Sequence, residues 1–299
     1  MTHDLAQHLD IVMRHAATGM TQTPLPRLDI FVGQGSTGTA PCLCRSMICF
    51  ILQGSKRVAI NDTVLSYDRA QYFISALDLP LIGEILDVGE GCPYVAVSLV
   101  LDPALLAEIA ATMPTVREND QKGMGVAVNP MTAPLRDTLL RLLSLLDSPA
   151  DIPVLGQMIE RELLYRLLQG PQGQLLRRIA RPEGALERVR RAVTWIRDHP
   201  DTHLRIDALC DVSGMSRASL HRHFQAITGF SPLQYQKHLR LQEARQLLLA
   251  GAHSASDAAF AVGYESPSQF SREYLRQFGA PPVRHVQEIR RAIERTTVA

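Results

Sequence analysis

The chain is expected to fold as an α+β protein, an N-terminal antiparallel β-barrel or sandwich followed by an all-α C-terminal part. Three observations point there. Between Ile30 and Val100, β-branched and aromatic residues recur in short runs broken by Gly, Pro, Asn and Asp. After Asp102 the apolar spacing turns helical. Near the C-terminus one ten-residue pattern is written twice, as Asp207-Ala-Leu-Cys-Asp-Val-Ser-Gly-Met-Ser216 and as Asp257-Ala-Ala-Phe-Ala-Val-Gly-Tyr-Glu-Ser266.

The β part rests on runs of strand length: Met47-Ile48-Cys49-Phe50-Ile51-Leu52, Arg57-Val58-Ala59-Ile60, Tyr72-Phe73-Ile74 and Tyr94-Val95-Ala96-Val97-Ser98-Leu99. Turn signals stand at Gln53-Gly54 and Asn61-Asp62. Strands at this spacing favour an antiparallel barrel or sandwich, over about 28–101.

Helices are expected over about 102–170. Asp102-Pro103 reads as an N-cap followed by Pro in the first turn. Leu135, Leu139, Leu142, Leu143 and Leu146 line one helix face; Ile159, Leu163, Leu164, Leu167 and Leu168 line another. Two uses fit these faces, a helical cover for the barrel or a two-fold dimer interface. Gln169-Gly-Pro-Gln-Gly173 ends the second helix, and Arg181-Pro-Glu-Gly184 marks the boundary between a domain of residues 1–180 and one of 184–299. An amphipathic helix follows, with Leu186, Val189, Val193 and Ile196 on its apolar face and His199-Pro200 at its end; Trp195 is expected to add to the core.

The repeat has an offset of 50, which pairs Asp207 with Asp257, Ala208 with Ala258, Val212 with Val262, Ser216 with Ser266, Arg222 with Arg272, Gly229 with Gly279 and Pro232 with Pro282. Each copy reads as a short helix, a turn at Ser213-Gly214 or Gly263-Tyr264, a capping Ser, and a second helix closed by Gly. That is the grammar of a helix-turn-helix, whose second helix enters the DNA major groove. The copies span about 205–228 and 255–278, joined by a helix over 232–249 with no internal Gly or Pro. Such a helix, rising about 1.5 Å per residue, spans about 27 Å. Successive major grooves on one face recur about 34 Å apart, so two recognition helices would sit in adjacent grooves.

Composition agrees. The net charge of +1 conceals an asymmetry, because from residue 183 onward 16 Lys and Arg stand against 12 Asp and Glu, whereas the earlier residues carry 15 against 18. The basic excess lies with the repeat, where phosphates would be met. The chain of 299 residues is 46% hydrophobic and 20% charged, which excludes disordered and fibrous classes and has room for two cores. It shows neither an apolar window of 18 residues nor a basic-then-apolar leader, so a cytoplasmic protein with no membrane partner is expected. Five cysteines without framework spacing argue against structural disulfides.

From Leu204 to Arg284 the residues resemble the paired helix-turn-helix domain of the AraC/XylS transcription regulators. The second copy carries the likeness in Gly263-Tyr264, Ser266, Phe270-Ser271-Arg272, Tyr274, Phe278-Gly279, Pro282 and Arg284. Pro41-Cys42-Leu43-Cys44, Gln53-Gly54-Ser-Lys56-Arg-Val58, Asp78-Leu-Pro80, Ile152-Pro-Val-Leu155, Leu163 to Gly170 and Ser231 to Lys237 resemble the landmarks of a subfamily with its own N-terminal domain. The resemblance implies a cupin-like barrel that senses a small-molecule effector or mediates homodimerisation, a C-terminal domain on double-stranded promoter DNA, and RNA polymerase as a partner. Activation is the family's commoner outcome.

In the first recognition helix Leu220 and Phe224 are expected in the core, leaving Arg217, Ala218, His221 and Arg222 outside. By family position Ala218, His221 and Arg222 meet bases or groove, the Arg222 fork suiting guanine. In the second, Phe270 and Tyr274 turn inward. Ser268 and Arg272 are then the choices for base edges, with Gln269 and Ser271 nearer phosphate, while Pro267 lacks a donor.

For the effector, the candidates are Cys42, Cys44, Tyr67 and Tyr72, with Tyr94 as a further aromatic. A thiolate near Arg45 would have a lowered pKa and react with electrophiles; the alternative is that these cysteines, Cys49 and Cys210 included, are small buried hydrophobes. Between Ala16 and Pro182 there is no histidine, so no metal, cofactor or catalysis by a metal-bearing barrel is expected. Two rival readings share these residues: an effector-independent dimeric regulator, and a cysteine methyl-acceptor DNA-repair protein with a domain of this type.

Overall fold

A computed structural model of the chain describes residues 2–35, 38–86, 89, 91–114, 123–251 and 254–298. Helix α1 (Thr2–Arg14) leads into the strands β1 (Gly19–Gln22), β2 (Leu28–Gln34), β3 (Ala40–Cys44), β4 (Met47–Gln53), β5 (Ser55–Ile60), β6 (Thr63–Asp68), β7 (Gln71–Ser75), β8 (Leu79–Ile85) and β9 (Pro93–Val100). Helix α2 (Pro103–Ala111) and strand β10 (Val126–Pro130) follow. The strands form two antiparallel sheets, ordered β1-β2-β9-β4-β7-β10 and β3-β8-β5-β6.

The sheet extends past the stretch of 30–100 at both ends. Strand β1, Gly-Met-Thr-Gln, has no apolar alternation and is strand because it pairs with β2; β10 pairs with β7, Val126 opposite Ser75. The apolar run of β4 is buried throughout its middle because the strand lies between β9 and β7. A register shift between Ile51 and Gln53 and the left-handed Gly54 (φ 87°) end it where the chain crosses to the second sheet. Asn61, at φ 49°, makes the tight β5–β6 turn.

Asp102 caps α2, its carboxylate accepting from the backbone N–H of Ala104 and Leu105, with Pro103 in the first turn. Helices α3 (Ala133–Ser144), α4 (Gln157–Gln169) and α5 (Gly173–Ile179) complete the N-terminal half. The leucine faces of α3 and α4 are buried within the chain in one core with the strands, which favours the use as a cover. The helical chain resumes at Gly173 with Leu175, Leu176 and Ile179 buried, where only a break was expected. Ile152–Gly156 forms a π-helical turn ahead of α4. Beside it Glu160, 5% exposed, accepts two bonds from the Arg27 guanidinium at 2.8 and 2.9 Å. Arg27 also reaches Asp102 at 3.2 Å and itself takes a left-handed φ of 63°.

The C-terminal half holds α6 (Ala185–Asp198), α7 (Ile206–Ser213), α8 (Arg217–Thr228), α9 (Pro232–Ala250), α10 (Ala255–Ala261), α11 (Pro267–Phe278) and α12 (Pro282–Val298). Leu186, Val189, Val193 and Ile196 are buried as their spacing predicts, and Trp195, half-buried, stacks on His199 with ring centroids 4.6 Å apart. One continuous core runs from Ile11 through the sheets and into α8 and the first half of α9, ending at Leu239. A second begins at Leu241 and holds α10 and α11. Helix α9 is therefore shared: Tyr235 and Leu239 belong to the first core, Leu241, Ala244 and Leu248 to the second.

The barrel and the helical half touch through backbone as well as side chains. Ile227 O accepts from Gly125 N at 2.8 Å, and Gly125 O accepts from Ala76 N at 2.7 Å. Tyr235 donates to Asp78 O at 2.8 Å, Arg197 pairs with the Asp78 carboxylate, and Gln242 Nε2 donates to Cys42 O at 3.1 Å.

Candidate functional site

The first helix-turn-helix is α7, a turn at the left-handed Gly214 (φ 65°), and α8. Arg188 of α6 steadies the turn by donating to Gly214 O at 3.2 Å. Ser216 caps α8, accepting from Ser219 N, and Gly229 closes it in the left-handed region. Leu220 and Phe224 are fully buried, and Arg217, Ala218, His221 and Arg222 are exposed on the opposite side. Of these four, Arg217 is already engaged, because Asp207 accepts from its guanidinium at 2.7 and 2.8 Å. Arg222 bonds sideways to the neighbouring His223 ring at 3.3 Å and is exposed.

The second unit repeats the plan with a tighter start. Ser254 and Asp257 form a capping box on α10, Ser266 caps α11 and Gly279 closes it. Phe270 and Tyr274 are fully buried; Ser268, Gln269 and Arg272 are exposed, and Ser271 is half-buried. Gln225 and Arg276 are also exposed on these helices, the former occupied in donating to Gly229 O at 3.0 Å.

The two units are held in one relation by α9, which Ser231 and Gln234 start with a capping box. It has 19 residues, or about 28 Å of rise. Arg240 donates to Pro200 O, Thr202 O and Gly263 O, joining the loop before α7 to the turn of the second unit. Gly263 fits there because a Cβ would lie 2.6 Å from Asp201 O, and its φ is +81°. Glu273 of α11 accepts from Lys237 of α9 at 2.9 Å and from Tyr264 at 2.8 Å. Burial pushes the Glu273 carboxyl up, but these bonds and the Lys237 charge together hold it below the usual value.

A cavity of about 380 Å³ lies between the two sheets. Cys42, Cys44 and Tyr67 line it as the sequence suggested, together with Cys49, Lys56 and Tyr94. Tyr72 does not. Side chains alternate along a strand, so Phe73 faces the cavity, stacked on Tyr67 at 5.3 Å, and Tyr72 faces the other way, beside Phe50 and Gly170.

Of the two readings of these cysteines, burial favours the small buried hydrophobe over the reactive thiolate. Burial pushes the thiols of Cys42, Cys44 and Cys49 up, and the cations that oppose it are Lys56 at all three and Arg245 at Cys42, not Arg45. Cys210 is half-buried against the core rather than within it. Among the described residues no group of three His, Cys, Asp or Glu side chains is placed to hold a metal ion.

Comparison with known proteins follows the same two halves. The family model for the AraC-type transcriptional regulator N-terminus matches residues 24–175, and a helix-turn-helix domain model matches 209–288. The transcriptional activator RhaS of Salmonella arizonae is 30% identical over 156 residues, 51% of this chain and 54% of that protein. RhaS of Escherichia coli K12/DH10B is 32% identical over 100 residues, 33% of this chain and 36% of that one. The chain thus spans about half the length, or less, of the curated relatives it matches.

Among solved structures, an apo variant of ToxT from Vibrio cholerae aligns over 89% of this chain and 98% of its own, with a TM-score of 0.56 at 10% identity. ToxT bound to (E)-4-(8-methylnaphthalen-1-yl)but-3-enoic acid aligns over 86% and 98%, with a TM-score of 0.55 at 10% identity. At that identity the likeness is one of fold.

Proposed function

The chain belongs to the AraC-type transcriptional regulators, and on that premise we propose a sequence-specific promoter-binding regulator, an activator, whose barrel answers to a small-molecule effector. In this reading residues 1–180 sense and 184–299 bind DNA. The observation that carries it is the pair of capped recognition helices locked on one 19-residue helix, each turning polar side chains outward.

Arg222 and Arg272 read base edges, with His221, Ala218 and Ser268 beside them. Arg217, drawn toward Asp207, contributes to phosphate attraction, as do Gln269 and Ser271. The unit with His221 and Arg222 supplies the stronger half-site, since Pro267 takes a donor from the other.

The effector site is the cavity between the sheets. Structures of ToxT with an unsaturated fatty acid and with an aryl-butenoic acid support a sensing role for a protein of this fold. The RhaS relatives are named activators, which supports RNA polymerase as the partner beside the promoter. A two-fold homodimer completes the proposal, on a surface other than the leucine faces, which the chain buries itself. No described helix is long and apolar enough to cross a membrane. A promoter-binding regulator works where the chromosome lies, so the proposal places the protein in the cytoplasm, acting by binding.

Two experiments test this reading. A genome-wide footprint of the bound protein should show a recurring sequence upstream of a small set of genes; diffuse protection following base composition would defeat it. Thermal unfolding across a panel of carbonyl compounds, acids and aromatics should find a selective stabiliser, because a ligand of the native state raises stability.

A further inference from the structure

Strand β5 alternates Lys56, Val58, Ile60 on one face with Arg57 and Ala59 on the other. Val58 and Ile60 are each 1% exposed, so this face looks into the space between the sheets and Lys56 goes inward with them. Arg57, on the outer face, pairs with Glu84 at 2.9 Å. Lys56 makes no ion pair or hydrogen bond with any described residue. Lys56 is half-buried, and an ammonium set in a largely apolar wall with no bonded counter-ion is stabilised when another molecule supplies one.

The backbone is shaped around this amine. Gly83 lies under the lysine stem: a Cβ there would be 3.3 Å from Lys56 Cε and 3.6 Å from Cys42 Sγ. Across the cavity stands a second unmatched polar group. Tyr94 is 1% exposed, lines the same chamber, and its hydroxyl has no hydrogen-bond partner. Buried hydroxyls are ordinarily bonded, so a donor left in this position marks where an acceptor is received.

The remaining wall is largely apolar, with Phe31, Met47, Phe73, Leu81 and Ile85 in it; its one carboxylate, Glu84, is neutralised by Arg57 on the outer face. A chamber of about 380 Å³ with such walls and a few convergent polar groups is of small-molecule size. We propose that this cavity binds an apolar organic acid, its carboxylate received by Lys56 and Tyr94 and its hydrocarbon or aromatic body by the walls. The proposal deepens the effector reading above and rests on it.

Other ligand classes fit the same walls less well. A sugar would bury several hydroxyls against few partners, and a cation would meet Lys56. An electrophile would need a thiolate, which burial of Cys42, Cys44 and Cys49 opposes.

The test uses the full chain and three probes of one length: decanoate, decan-1-ol and decylammonium, each below its aggregation concentration. Calorimetry and thermal unfolding should show saturable binding of decanoate, about tenfold or more tighter than decanol, and none of decylammonium. Lys56→Met removes an unpaired inward charge, so the variant should fold. It should lose the preference for decanoate while still binding decanol, and Tyr94→Phe should weaken decanoate by a smaller factor. Equal affinity for decanoate and decanol, or undiminished decanoate binding in Lys56→Met, would overturn the acid assignment and leave a neutral effector in the cavity. Binding of none of the three would also overturn it, and the effector reading would then stand or fall on the wider ligand panel.

Discussion

Gln242, on the helix that joins the two helix-turn-helix units, donates from Nε2 to the backbone carbonyl of Cys42 at 3.1 Å. The side chain of Cys42 lines the cavity, so one residue of β3 touches both the chamber and the DNA-binding rod. Tyr235 and Arg197 hold Asp78, just ahead of the neighbouring strand β8. A ligand that shifts β3 or β8 therefore acts directly on α9, and α9 sets how the recognition helices are presented.

Coupling through this contact is measurable. Gln242→Leu should leave decanoate binding to the free protein unchanged and reduce the ratio of decanoate affinities with and without operator DNA. Linkage is reciprocal and couplings are typically about 1–3 kcal/mol, so a wild-type ratio of several-fold should fall toward one. An unchanged ratio would remove Gln242 from the path.

Base reading is tested by substitution on the exposed faces. Arg222→Ala and Arg272→Ala should each weaken specific DNA binding by about 1–3 kcal/mol and relax sequence preference in one half-site. Arg217→Ala should cost less and without regard to sequence, since Asp207 already engages that guanidinium. Quantitative titration of labelled operator at fixed salt separates these outcomes.

The two turn glycines should differ. Gly214 (φ 65°) has open space where a Cβ would be, so Gly214→Ala meets only left-handed strain, about 1–2 kcal/mol. Gly263 has the same kind of φ and in addition Asp201 O at 2.6 Å, so Gly263→Ala should cost more and should disturb the packing between the two units. Urea unfolding of the pair decides; equal losses would mean that the Arg240 junction yields easily.

Acid should weaken the barrel's helical cover through Glu162. Hydrogen bonds from Arg141 and Arg166 hold its carboxyl down from 4.5 to about 2. A carboxyl with a depressed folded-state pKa contributes stability that is full above its unfolded value and is lost as pH falls through the interval from 4.5 to about 2. Glu162→Gln should therefore flatten the stability profile in that window and leave it unchanged in shape above it, as followed by unfolding at a series of pH values.

Much of this was legible in the residues, for identifiable reasons. The helix-turn-helix units repeat at a fixed offset and carry local chemistry, a capping Ser and a closing Gly, so Ser216, Gly229, Ser266 and Gly279 could be placed without tertiary information. Strand alternation put Cys42 and Cys44 on one side, and the same rule already held the parity that separates Phe73 from Tyr72 and turns Lys56 inward. The thiol alternative looks to Arg45, the charge next to the cysteines in sequence. The cations that act on Cys42, Lys56 and Arg245, arrive from another strand and from α9. Strands β1 and β10 and the contacts of Arg240 and Gln242 depend on pairing over long sequence separations, which no local pattern encodes.

In the proposed complex one chain grips two adjacent major grooves with two unequal recognition helices. Footprinting of the full chain on its operator, at base resolution and with both arginine variants, tests it most directly. Two protected half-sites about one helical turn apart are expected, with Arg222→Ala erasing contacts in the more specific one and Arg272→Ala those in the other. Protection of a single half-site that both variants affect alike, or that neither affects, would contradict it.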